Sequence, residues 1–184
     1  MNWSTPRDKT KKSRLSVVEM TLFAVLGALM FCSKLFMEFL PNIHLLGMFT
    51  MVFTLVFRKK ALVPIYVFVL MTGVYGGFSA WWMPHLYLWT ILWGVTMLLP
   101  KDLNPKIAVV VYPVICGLHG FLYGVLYAPA QAILFGLNFK QMIAWVISGV
   151  PFDLIHGFSN LVSGLLVLPL SILLKKLSKN IARI

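Results

Sequence analysis

IHLLGMFTMVFTLVFRKKALVPIYVFVLMTGVYGGF, residues 43–78, is two apolar runs divided only by Arg58-Lys59-Lys60. Each run is of the order that crosses a bilayer, and loops on the cytoplasmic side retain Lys and Arg. The stretch therefore reads as two membrane helices joined by a tight inner turn. The same pattern extends in both directions. Fourteen of the sixteen Lys and Arg residues fall in four zones: Arg7 to Arg14, Arg58 to Lys60, Lys101 with Lys106, and Lys175 to Arg183. Four inner zones divide the chain into three double crossings, which predicts an all-α integral membrane protein of six transmembrane helices with both termini inside. Lys34 and Lys140 are the two cations left on the outer side.

Composition agrees with this reading. A chain of 184 residues that is 60% hydrophobic and only 11% charged, with mean hydropathy +0.88, belongs in the bilayer. Residues 1–184 form a single transmembrane domain, with a basic cytoplasmic N-terminus over 1–16. The expected spans are 17–38, 43–57, 61–78, 85–99, 107–127 and 149–174. The first is too long for a signal peptide and is read as retained. The second is short, which implies a thin local bilayer or a partner over one end. Residues 128–148 are read as the longest outer connection, apolar enough to lie in the interface or cap a cavity. The net charge of +11 is placed at helix ends rather than along one face, so it marks topology and lipid headgroups, not nucleic acid. Cys32 and Cys116 lie inside apolar runs without metal-ligand spacing and read as packing residues.

Polar side chains within spans cost free energy unless they face a partner or a cavity, so they mark the candidate site. Lys34 and Glu38 share a helical face at the outer end of the first span, followed by Asn42 and His44. His85, Tyr87 and Trp89 open the fourth span, with Trp81 and Trp82 just before it; taken singly, such aromatics also suit an interfacial belt. His119, Tyr123 and Tyr127 recur every fourth residue on the fifth span, with Gln131 beyond. Asp153, His156 and Asn160, with Ser163, form a stripe on the sixth. Aspartate there needs a partner, either His156 or a residue of the fifth span. An internal network that locks two helices is the alternative reading of the same stripe. Together these side chains converge on the outer half as a ligand pocket would. On the inner half, Ala24, Gly27 and Ala28 form a small-residue motif that lets another helix approach closely.

No phosphate-binding loop and no catalytic His-Glu-x-x-His or Gly-x-Ser-x-Gly pattern occurs. The histidines and acids are too dispersed along the chain to announce a metal site. The expectation is a binding protein that is not an enzyme and holds no cofactor of its own. Two other classes remain open: a self-sufficient proton-coupled secondary transporter using Asp153 and His156, and an intramembrane lipid-modifying enzyme using His119, Asp153 and His156.

Several features taken together resemble the substrate-binding S-components of energy-coupling factor (ECF) transporters, the ABC-type importers that bring vitamins into bacteria. They are the chain length, the six spans, the Ala24 to Ala28 motif, Leu40-Pro41-Asn42-Ile43-His44, the short Arg58-Lys59-Lys60 loop, and Trp81-Trp82 with Tyr87. The long apolar connection before the sixth span also fits. The resemblance covers the whole chain. It implies a multi-pass protein of the bacterial plasma membrane that captures a vitamin outside, then topples beside a transmembrane coupling subunit. Two cytoplasmic ATPases, holding ATP-Mg, would drive the cycle. Ala24, Gly27 and Ala28 would meet the coupling subunit, and the loops around Asn42, Trp81 and Gln131 would gate the pocket. The aromatic vestibule suggests cobalamin or another corrinoid, whereas Lys34 favours an anion such as pantothenate. Thiamine, riboflavin, folate and a queuosine precursor remain alternatives.

Overall fold

The computed structural model describes residues 15–181, all of whose regular elements are helical. The basic cluster Arg7 to Arg14, and Arg183, lie outside the described residues. The first helix, α1 (Val17–Phe36), starts where Ser16 accepts from the Glu19 N–H while the Glu19 carboxylate accepts from the Ser16 N–H. This capping box satisfies two donors that a helix start leaves free. Phe23, Leu26, Gly27 and Met30 are its buried residues, spaced to form one face. That face packs on α3 (Leu62–Gly76).

Between them, α2 (Leu46–Phe57) is buried from Leu46 to Leu55 with little interruption. It packs against α4 (His85–Leu98), α5 (Pro105–Phe121), α7 (Phe139–Gly164) and α8 (Val167–Ile181). Its central place accounts for its brevity. A helix of 12 residues is only about 18 Å long, and one enclosed by other helices is not required to match the hydrocarbon thickness that lipid-facing helices must match.

A 3₁₀ turn over Arg58–Ala61 joins α2 to α3. It is held by Arg58 Nη2 donating to the Met97 carbonyl at 2.8 Å and by the Trp93 indole donating to the Arg58 carbonyl at 3.1 Å. Lys60 reaches Glu19 at 2.5 Å. The start of α1, the α2–α3 turn and the end of α4 thus meet at one end of the bundle. The opposite end gathers Lys34, Tyr75, Trp81 and Tyr127.

The second half differs from the sequence expectation. Residues 128–148 were expected as an outer connection, but α6 (Tyr123–Phe135) continues through Pro129 and the chain turns only at residues 136–138. Gly136 takes the left-handed conformation there (φ 65°), and Asn138 with Gln141 forms a second capping box that starts α7. Helix α7 therefore begins at Phe139 rather than near 149, and a turn at Leu165–Leu166 separates it from α8. Proline removes one backbone donor, which an apolar helix tolerates when neighbouring helices support it. Among the described residues, three helical stretches are long and apolar enough to cross a membrane: Val17–Phe36, Pro105–Phe135 and Phe139–Gly164.

Helices α5 and α7 are the most closely apposed pair. At Gly120 an added Cβ would lie 2.8 Å from the Gly157 Cα, and at Gly164 one would lie 2.6 Å from the Pro113 Cα. Small residues permit this approach, as they do in membrane helix pairs generally. The approach also sets the polar residues of α7 directly against α5 and α6.

Candidate ligand site

Trp89 stands at the centre of the site, 1% exposed. With four other rings it closes a circuit of five. His44, from the turn before α2, lies 6.0 Å from Trp89 between centroids; Trp89 lies 5.8 Å from His119 of α5; and His119 lies 6.3 Å from Tyr123, the first residue of α6. Tyr123 stacks on His156 of α7 at 4.4 Å, and His156 meets His44 edge to face at 4.3 Å. The fourth histidine, His85, joins from outside, 6.2 Å from Trp89 and 5.6 Å from Trp81. All four histidines of the chain thus meet in one place. The four-residue spacing of His119, Tyr123 and Tyr127 survives the break at Leu122, and Tyr127 extends the circuit by stacking on Trp145 at 5.8 Å.

His44 and His156 hydrogen-bond through their Nε2 atoms. A neutral imidazole carries one donor and one acceptor, so the two rings hold opposite tautomers. His119 Nε2 bonds the Leu88 carbonyl at 3.1 Å. Among the described residues, the buried side-chain atoms without a hydrogen-bond partner are His44 Nδ1, His85 Nδ1, His119 Nδ1, Trp89 Nε1, Thr50 Oγ1 and both amide atoms of Asn160, with Arg58 Nη1 at the other end of the bundle. Each unpaired buried group costs about 1–3 kcal/mol, and folded proteins keep such groups few. His44, His85 and His119 all lie within 6.2 Å of Trp89 between ring centroids, so four of these unpaired nitrogens, the Trp89 indole among them, share one aromatic cluster. Asn160 is held there by two glycines: a Cβ would sit 3.2 Å from its Nδ2 at Gly47 and 2.9 Å at Gly120. No group of three or more His, Cys, Asp or Glu side chains has metal-binding geometry among the described residues.

Other residues marked in the sequence are placed differently. Asp153 does not bond His156; its Oδ1 accepts from the Gly124 N–H at 3.0 Å, which makes the fifth-span source the partner. Gly124 lies in the first turn of α6, where free N–H groups and the helix dipole favour an anion. Trp82 donates to the Val69 carbonyl at 2.8 Å, and Tyr87 donates to the Leu126 carbonyl at 2.7 Å, so both brace the helices. Tyr127 donates to the Trp81 carbonyl at 2.9 Å, tying α6 to the α3–α4 connection. Lys34 pairs with Glu38 at 3.1 Å and lies over the Tyr75 ring, outside the circuit. Asn42 has a positive φ of 62° and shapes the turn that delivers His44. Gln131 is half-buried on α6, two turns past Tyr123. Trp145, stacked on Tyr127, joins the site without having been singled out for it.

The small-residue motif divides. Ala24 is exposed and Ala28 half-buried on α1, whereas Gly27 is buried against α3, where an added Cβ would lie 2.6 Å from Val67 Cγ1 and 2.8 Å from the Pro64 carbonyl oxygen. Gly27 therefore serves the α1–α3 contact, and only the two alanines face outward. No family model, curated protein or solved structure matches the chain.

Proposed function

We propose that this chain is the membrane-embedded binding subunit of an ECF-type importer, capturing a vitamin-class molecule at the histidine and aromatic end. The observation that supports the reading is the group of unpartnered buried polar atoms on Trp89 and the histidines around it, among the described residues. The chain crosses the bacterial plasma membrane six times in this reading, with the Arg58–Lys60 end and both termini inside. Transport energy comes from two ATPases reached through a transmembrane coupling subunit, and the outward-facing Ala24 and Ala28 meet that subunit. Cobalamin is the first ligand to test; pantothenate, thiamine, riboflavin, folate and queuosine precursors follow.

The test is co-purification with a coupling subunit and two ATPases, together with uptake by Ala24→Trp and Ala28→Trp variants. The expected result is intact ligand binding with lost uptake. Normal uptake in both variants would remove the docking role. The alternative class, a proton-coupled transporter, draws support from the His44–His156 contact, which could pass a proton. Uptake by the chain alone in liposomes under a proton gradient would favour that class over the first.

A further inference from the structure

A cavity of about 490 Å³ opens at the far end of α2 from the histidine circuit, where Leu55, the α4–α5 connection and α8 meet. Its size falls in the range of small-molecule sites. Lys101, from the α4–α5 connection, and Lys175, from α8, both line it, and Asp102 follows Lys101 in the chain. Asp102 makes no ion pair among the described residues, so the three side chains leave one net positive charge. Helix α5 starts at the same wall and adds the positive end of its dipole. Its first N–H groups are already taken, Lys106 by the Asn104 side chain at 2.9 Å and Ile107 and Ala108 by the Asn104 carbonyl. The helix thus contributes a field and no donors.

The donors come from side chains. Tyr112 also lines the cavity; it is 5% exposed and makes no side-chain hydrogen bond among the described residues. Its ring packs into the core while its hydroxyl keeps access to solvent, so it is free to donate to a group bound in the cavity. Leu168 and Ile172 continue the wall along α8 as an apolar surface.

We propose that this cavity is a binding site for the phosphate-bearing headgroup of an anionic phospholipid. Lys101 and Lys175 contact the phosphate, Tyr112 donates to one of its oxygens, and the acyl chains run along Leu168 and Ile172. An anionic headgroup suits this place because the cavity lies among the basic connections, at the depth where lysines beside apolar helices meet lipid phosphates. The site is separated from the histidine circuit by the length of α2, so its loss leaves ligand capture intact.

Native mass spectrometry of the purified full chain, titrated with phosphatidylglycerol and separately with phosphatidylcholine, tests the assignment. Phosphatidylglycerol is expected to be retained in preference. A surface lysine contributes about fivefold to anionic lipid affinity, so Lys101→Gln with Lys175→Gln should weaken retention roughly 25-fold. Tyr112→Phe should weaken it by a smaller factor, and Lys140→Gln, at the α7 start, should leave it unchanged. Equal retention of the two lipids, or a double variant that binds phosphatidylglycerol as the parent does, overturns the proposal. Displacement of the lipid by millimolar inorganic phosphate overturns the lipid source in favour of a free phosphate compound.

Discussion

Replacing Asp153 separates a bracing carboxylate from a ligand contact. Its Oδ1 accepts from the Gly124 N–H at 3.0 Å, and the residue is 9% exposed. In Asp153→Ala that N–H loses its acceptor in a setting where little water can replace it, which costs about 1–3 kcal/mol. The favourable placement of a carboxylate at the start of α6 is lost as well, at about 0.3–1 kcal/mol. A total near 2 kcal/mol lowers the unfolding midpoint by roughly 4–8 °C for a chain of this length. Asp153→Asn keeps an acceptor of the same shape and loses only the charge, so its midpoint should fall by roughly 1–4 °C. Thermal unfolding of the purified protein in one detergent, followed by intrinsic tryptophan fluorescence, compares the three proteins directly. Ligand affinity of the asparagine variant should match the parent. An alanine variant as stable as the parent would refute the bracing role, and an asparagine variant that folds normally but binds no ligand would return Asp153 to the recognition surface.

Gly27→Ala should destabilise the α1–α3 contact by about 1–3 kcal/mol, since the new Cβ meets Val67 and the Pro64 carbonyl at under 3 Å; the same thermal measurement reads it, and an unchanged midpoint would show that the helices separate freely. His44→Ala and His156→Ala should each abolish binding of the vitamin that the parent retains in a thermal-shift screen, while Lys34→Ala, outside the circuit, should leave binding within about twofold; the reverse ranking would move the ligand to the Lys34 end. Lys60→Gln should change stability by no more than about 1 kcal/mol, because the Lys60 and Glu19 side chains are 38% and 34% exposed; a larger loss in denaturant or heat would indicate a desolvated pair.

The local devices of this fold are legible in residue order. Ser16 with Glu19 announces the start of α1, and the polar stripe from Asp153 to Ser163 is the buried face of α7. The four-residue rhythm of His119 and Tyr123 places them in one circuit because a single broken turn at Leu122 does not rotate the stripe away. What spacing cannot supply is convergence across the chain. His44 and His156 are separated by 112 positions, and their contact depends on how α2, which follows His44, packs against α5 and α7. The apolar stretch after Tyr127 misleads for a local reason. Pro129 signals a break, yet the helix carries on to Phe135, and the stop is set by Gly136 and the Asn138 cap. The brevity of α2 misleads because hydropathy reports length and not enclosure.

The histidine circuit draws His44, His85, His119 and His156 from separate stretches of the chain, the last arriving on α7 near the C-terminal end. During synthesis, the first two-thirds of the chain can enter the membrane and pack α1 against α3 while the circuit still lacks a member. The circuit therefore closes last, and a copy that ends before α7 holds three of the four histidines without the His44–His156 contact.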